Sequence, residues 1–92
     1  MQSHPFTTTQ GRYLAFIYVY IKLNRRSPAE ADMQQYFAVT APAIHGMVLT
    51  LERQGLITRQ PGRARSIQLN LQPAELPLLE FLLSPSPEGR GN

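Results

Sequence analysis

The chain has 92 residues, enough for one domain, and an apolar content of 42% supplies a modest hydrophobic core, which argues against a wholly disordered protein. Its net charge is +3 and it has no cysteine, which excludes disulfide bonds and thiolate metal sites. The longest apolar run, LAFIYVYI at residues 14–21, is too short to cross a bilayer, and no secretory signal peptide is evident. We therefore expect a cytoplasmic protein, associated with the nucleoid if its source is bacterial.

Two capping boxes predict the first two helices. Thr7 and Gln10 have the spacing of one box, and the apolar residues that follow recur at helical spacing until about Asn24. Ser27 and Glu30 have the spacing of a second box, with a proline at the first helical position, where its missing N–H costs nothing. The second helix is predicted to be short, to end near Phe37, and to bury Ala29, Met33, Tyr36 and Phe37.

The third helix is predicted to follow a short turn, AVTAP. Thr40 or Ala41 caps it, Pro42 lies in its first turn, and Gly55 closes it. Its buried stripe consists of Ile44, Met47, Val48 and Leu51, spaced at i, i+3, i+4 and i+7. The outward face is expected to include Thr40, Ala41, Ala43, His45, Gly46, Leu49 and Thr50.

A two-stranded hairpin is predicted next, with strands at 56–60 and 65–71 and a Pro-Gly turn between them. In the second strand Ile67, Leu69 and Leu71 alternate with polar residues, so one face is expected to be buried. The element order predicts a mainly α fold with a small β-hairpin: a winged helix-turn-helix, that is, a three-helix bundle plus a two-stranded wing, over residues 1–72.

The rest of the chain divides into an apolar segment, residues 73–83, and a tail, residues 84–92, that its composition predicts to be disordered. The apolar segment is either a fourth helix or an extended arm, because Pro77 argues against an uninterrupted helix. It either covers the core or, as we predict from its density of large apolar residues, mediates a homodimer through Leu76, Leu78, Leu79, Phe81, Leu82 and Leu83.

Four arginines lie on and beside the hairpin: Arg53, Arg59, Arg63 and Arg65. Residues 1–70 contain eight Lys and Arg against three acids, a balance of +5, and arginine suits bidentate contacts with phosphate or guanine. The arginines therefore predict contacts with nucleic acid phosphates; the plainer interpretation is a solvated basic surface. For Arg65 another alternative is an ion pair with Glu52 while its stem packs on the core.

The chain resembles the amino-terminal DNA-binding domain of the LexA repressors, over about residues 6–71. The resemblance rests on FTTTQGRYLAFIYVYI, on SPAEADMQQYF and above all on LERQGLITRQPGRARSIQL. It implies that the third helix enters the major groove, with the residues of its outward face toward the bases, and that the wing contacts the backbone. The family usually has glycine in the turn before the third helix, where this chain has Ala38. The resemblance does not extend to the protease and dimerisation domain of LexA: in these 92 residues the only lysine, Lys22, lies in the first helix, and no Ala-Gly bond is present to be cleaved, so self-cleavage is not expected.

The predicted function is sequence-specific binding of double-stranded DNA, as a small transcriptional repressor. The alternative is a winged helix that binds another protein, with Leu49 and the apolar segment as its surface. His45 has no metal-ligating neighbours in sequence, and no Ser, His and acid pattern favours catalysis. We therefore expect no enzyme, no metal and no cofactor.

Overall fold

The computed structural model describes residues 6–83, so the predicted tail at 84–92 lies outside the described residues. Within that range four α-helices and two short strands occur in the order α1 (Thr8–Asn24), α2 (Glu30–Phe37), α3 (Ala41–Arg53), β1 (Ile57–Thr58), β2 (Gln68–Leu69) and α4 (Leu78–Leu83). Three helices with a two-stranded antiparallel hairpin confirm the predicted winged helix-turn-helix.

Helix α1 begins as the capping box predicts. The Thr7 side chain accepts from the Gln10 backbone N–H at 3.1 Å, and the Gln10 amide oxygen accepts from the Thr7 backbone N–H at 3.0 Å. The helix ends at Asn24, and Arg25 follows in the left-handed region, with its N–H donating to Ile21 O. Both ends therefore follow from local sequence.

The start of α2 differs from the prediction. The helix begins at Glu30, its N-cap is Ala29, and Asp32 Oδ2 accepts from the Ala29 backbone N–H at 2.8 Å. The predicted cap, Ser27, instead lies in the preceding loop, where its hydroxyl donates to Pro28 O. A charged carboxylate is a stronger acceptor for a backbone N–H than a neutral side chain, which favours a start set by Asp32. Pro28 is fully buried ahead of the helix.

Helix α3 has the predicted limits. Thr40 is its N-cap, with Oγ1 accepting from the Ala43 N–H at 3.3 Å. At the other end Gly55 takes a positive φ of 78°, and the N–H groups of Gly55 and Leu56 donate to Glu52 O and Leu51 O. These are the two hydrogen bonds of a Schellman motif, which favours glycine because the left-handed region is costly for other residues.

The wing, residues 57–69, has a much shorter ladder than predicted. Only Ile57 pairs with Leu69 and Thr58 with Gln68, although strands were predicted at 56–60 and 65–71. The alternation itself is confirmed, since Ile67 is buried while Gln68 is exposed. Two turns, at 61–62 and 64–65, take the place of the expected pairing in the wing tip, residues 60–66.

A single hydrophobic core joins the helices and the base of the wing. Its buried members are Tyr13, Leu14, Ile17, Met33, Phe37, Ile44, Val48, Leu51, Leu56, Ile57, Ile67 and Leu76. The rings of Tyr13 and Phe37 stack with centroids 4.1 Å apart, which joins α1 to α2. Met47, predicted to belong to the buried stripe of α3, is only partly buried.

The apolar segment at 73–83 folds back on α1. A 3₁₀ turn at Pro73–Glu75 precedes Pro77, and α4 follows it, so the segment is a short helix and not an extended arm. Leu76 and Phe81 are buried, with the Phe81 ring 5.7 Å from that of Tyr36, and Leu78 is partly buried against the core. The opposite face of α4 leaves Leu79, Leu82 and Leu83 exposed.

Candidate nucleic-acid interface

The face of α3 opposite the core is largely open to solvent. Five of the predicted base-facing residues are exposed, namely Thr40, Ala41, Ala43, His45 and Gly46, and two are half-buried, Leu49 and Thr50. The buried stripe of Ile44, Val48 and Leu51 fixes which side of the helix points outward. All seven predicted residues are therefore accessible to some degree on one helix.

His45 is joined to the preceding helix by a hydrogen-bond contact with Glu30. Its Nδ1 lies 3.0 Å from Glu30 Oε2, and both side chains are about half exposed. Sequence reasoning did not include Glu30 in the site, although it is the first residue of α2. A carboxylate at this point repels phosphate, so the contact restricts where a DNA backbone can run past α3.

Gly46 lies in the middle of α3 without a packing reason for glycine. A Cβ placed on Gly46 would meet nothing within 4 Å. Glycine in a helix interior costs about 1 kcal/mol relative to alanine. Packing within the described residues therefore does not require glycine at this position.

Two residues at the end of α3 contact each other. Arg53 Nη2 donates to Thr50 Oγ1 at 3.3 Å, and Arg53 is otherwise exposed. A neutral hydroxyl is a weak partner for a guanidinium compared with a carboxylate. Arg53 is thus free to turn toward an anion.

The arginines of the wing differ in what they contact. The Arg63 guanidinium is exposed and donates to the Gln60 side-chain amide oxygen at 3.0 Å, its one partner among residues 6–83. Arg59 pairs with Glu52 at 3.0 Å, with only 15% of its side chain exposed. The sequence analysis offered Glu52 as an alternative partner for Arg65. In the structure Glu52 instead pairs with Arg59, which follows β1 and lies beside the end of α3.

Arg65 contacts three residues of the α1–α2 region. Its Nη1 lies 3.1 Å from each of the Tyr20 hydroxyl, the Ser27 carbonyl oxygen and Asp32 Oδ2. The pKa of the Asp32 carboxyl is below its ordinary value, first because the Ala29 N–H donates to it; burial opposes the shift, and Tyr20 and Arg65 lower the pKa further. Nothing local in the sequence indicates these partners, which lie 38 and 45 residues away for Ser27 and Tyr20.

An open cleft of about 300 Å³ lies between the start of α2, the outward face of α3 and the wing. Its lining includes His45, Arg59, Arg63 and Arg65, with Glu30 as its acid. A cationic cleft beside an exposed helix face is suited to the phosphates that flank a groove occupied by that helix.

Within residues 6–83 no helix is long and apolar enough to cross a membrane, and no cluster of three or more His, Cys, Asp or Glu residues is placed to hold a metal ion.

Comparison with known proteins agrees with this geometry. Residues 3–66 match the family model described as the LexA DNA binding domain. The LexA repressor of Thermosipho africanus is 42% identical over 67 residues, which are 73% of this chain and 34% of that protein. The LexA repressor of Thermosipho melanesiensis is 41% identical over 63 residues, 68% of this chain and 32% of that protein. The chain thus spans about a third of the length of these relatives.

Proposed function

Because the chain belongs to the LexA DNA-binding domain family, we propose that it binds double-stranded DNA sequence-specifically and acts as a transcriptional repressor by occluding its operator. The observation that carries this proposal is the exposed face of α3 beside a cleft lined by three arginines. Binding alone accounts for repression by occlusion, so we propose no catalytic activity for these residues.

We propose that α3 reads bases in the major groove through Thr40, Ala41, Ala43, His45, Gly46, Leu49 and Thr50. The hydroxyls of Thr40 and Thr50 can donate to base acceptors, and Leu49 offers an apolar contact for a thymine methyl. At His45 the contact with Glu30 engages Nδ1, so Nε2 is the nitrogen that we assign to a base.

For the backbone contacts, the geometry favours an order among the four candidate arginines. Arg63 and Arg53 are exposed, and their contacts within residues 6–83 are with neutral groups, so either can bind a phosphate without losing an ion pair there. Arg59 must leave Glu52 to reach a phosphate, and Arg65 must leave Asp32. We propose Arg63 and Arg53 as the main phosphate contacts and Arg59 as a weaker one.

A salt titration of binding to random duplex DNA tests this proposal. Replacing one phosphate-contacting arginine lowers the slope of log affinity against log salt by about 0.9, so Arg63→Gln is expected to lose about that much. Arg12→Gln is the matched control, because Arg12 lies in a separate cleft beside α4 and its removal costs the same charge. Equal slopes for both variants would mean that Arg63, and with it the wing tip, does not contact DNA phosphate. Absence of salt-dependent binding by the unchanged protein would favour a protein-interaction module instead.

We also propose a homodimer, now restricted to the exposed face of α4. Leu76 and Phe81 belong to the core, which leaves Leu79, Leu82 and Leu83 for a second copy. Three side chains are far fewer than the roughly 20–30 residues per partner of a standard interface, so we expect association only when two copies lie side by side on an inverted repeat. Sedimentation with and without such a duplex, for the wild type and for Leu79→Ser/Leu82→Ser, measures this. Binding of the inverted repeat with the same cooperativity by both proteins would contradict the dimer.

A further inference from the structure

The wing has little to hold its shape by backbone pairing alone. Its ladder consists of two residue pairs, and an isolated two-stranded hairpin is marginally stable in water. Beyond the ladder, Ser66 organises the tip: its Oγ accepts from the Gln60 N–H at 2.9 Å and donates to the Arg63 carbonyl oxygen at 2.9 Å. These bonds close the tip on itself, but they do not fix its direction relative to α3.

At its base the wing is joined to α3 by the Arg59–Glu52 ion pair, and its tip is joined to the helical body by the Arg65 cluster, which we define as Arg65, Tyr20, Ser27 and Asp32. Arg65 lies at the end of the wing tip, Tyr20 in α1, Ser27 in the α1–α2 loop and Asp32 in α2. Its Nη1, which carries two hydrogens, donates to the Tyr20 hydroxyl and the Ser27 carbonyl oxygen, and the same nitrogen forms an ion pair with the Asp32 carboxylate. One side chain of the wing therefore reaches three separate points of the helical body.

The backbone at Arg65 has a costly conformation, as it does at Arg25 and Ala38. Arg65 has a φ of 55°, in the left-handed region that is costly for any residue with a Cβ. The same hairpin has glycine at its other left-handed position, Gly62, with a φ of 76°. Glycine at position 65 would avoid the cost but would lose the contacts with Tyr20, Ser27 and Asp32, which can offset it.

We propose that Arg65 is a positioning residue, which holds the wing at a fixed angle to α3 through Tyr20, Ser27 and Asp32 and does not contact phosphate. A wing that is already oriented in the free protein loses less conformational entropy when DNA binds, which favours affinity. The part of this inference that concerns DNA rests on the proposed function; the part that concerns the wing does not.

Tyr20→Phe tests the cluster, because it removes one acceptor of Arg65 and changes no charge. One hydrogen bond contributes about 1 kcal/mol net, so we expect amide hydrogen exchange at Gln60 and Arg63 to become about fivefold faster in the free protein. The Val48 amide, in the middle of α3, serves as an internal reference. Tyr18→Phe is the matched control, a hydroxyl removed from the same helix, and it is expected to leave exchange in the wing unchanged. Equal exchange in the two variants overturns the proposal, whatever happens with DNA.

Duplex binding by Tyr20→Phe and Asp32→Asn then separates positioning from phosphate contact. If Arg65 positions the wing, both variants bind duplex DNA more weakly, about fivefold for Tyr20→Phe. If Arg65 instead leaves the cluster to bind phosphate, both variants have already weakened the contacts that it must break, so both should bind DNA more tightly. The gain should be larger for Asp32→Asn, which also removes a negative charge. Asparagine can still accept from the Ala29 N–H, so α2 keeps its cap. Tighter binding overturns the positioning role. No binding by the unchanged protein overturns the proposed function and leaves hydrogen exchange to decide the cluster.

Discussion

Helix α3 and the wing face the same cleft, but different forces hold them in place. Ile44, Val48 and Leu51 bury one whole side of α3, and both ends of the helix are closed by hydrogen bonds. The wing has Ile57 and Ile67 in the core at its base, while its tip depends on polar contacts of Ser66 and Arg65.

This difference has a consequence for DNA binding. Fully burying a large apolar side chain contributes about 1.5–3 kcal/mol, whereas a hydrogen bond contributes about 1 kcal/mol net. We therefore expect α3 to open only with the whole domain and the wing tip to open locally. Base readout needs fixed donors and acceptors, which suits α3, while phosphate contacts tolerate a more mobile partner.

The largest expected effect is on the core beneath α3. Leu51 is fully buried, and Leu51→Ala should lower the free energy of unfolding by about 2–5 kcal/mol through lost burial and the cavity left behind. Leu49→Ala removes the same atoms from the half-buried outer side and should cost clearly less. Urea denaturation measures both. Similar losses of stability at the two positions would mean that Leu49 is as buried as Leu51 and that this side of α3 does not face solvent.

The second effect separates the base-reading role of α3 from the backbone role of the wing. Thr50→Val keeps the shape of the side chain and removes its hydroxyl, so we expect a changed preference at one base position, by about 1–3 kcal/mol for a direct contact. Arg63→Gln should weaken binding without changing the preferred sequence. Selection from a random duplex pool measures the preference. A shifted motif for Arg63→Gln and an unchanged one for Thr50→Val would reverse the assigned roles.

The sequence predicted α3 better than the wing, because α3 is limited by local hydrogen bonds and the wing is held by contacts between distant residues. The limits of α3 were predicted correctly, because Thr40 and Gly55 act on backbone groups within five residues of them. The wing strands were predicted too long, because alternation of Ile67 and Leu69 reports burial and not the extent of pairing. The contacts of Arg65 with Tyr20 and Ser27 were not predicted, because they join residues brought together only by the fold.

Gly46→Ala is expected to give two effects of opposite sign. Because the added Cβ meets nothing within 4 Å, alanine should stabilise the domain by about 1 kcal/mol through its higher helix propensity. If α3 enters the groove with Gly46 facing the DNA, the same methyl group should weaken duplex binding. Ala43→Ser, a similarly exposed change in the same helix, controls for general effects on the surface. Thermal denaturation and duplex titration measure the pair. A variant that is more stable and binds equally well would show that the backbone at Gly46 stays away from DNA.

The smallest expected effect concerns the turn that sets α3 against α2. Ala38 ends α2 with a φ of 57° and a ψ of 44°, is exposed, and donates its N–H to Gln34 O at 2.9 Å. The left-handed conformation costs an alanine about 1–2 kcal/mol, while glycine gives back about 0.4–1 kcal/mol through the greater freedom of the unfolded chain. Ala38→Gly should therefore raise the free energy of unfolding by somewhat less than about 1 kcal/mol.

Ala31→Gly, at an exposed position inside α2, should instead lower the free energy of unfolding by about 1 kcal/mol. Urea denaturation distinguishes the two signs, and a loss of stability in both variants would mean that the turn does not need a left-handed residue at position 38. Because the turn lies outside the wing, hydrogen exchange in the wing tip should not change in Ala38→Gly, which keeps the two regions separate in the test.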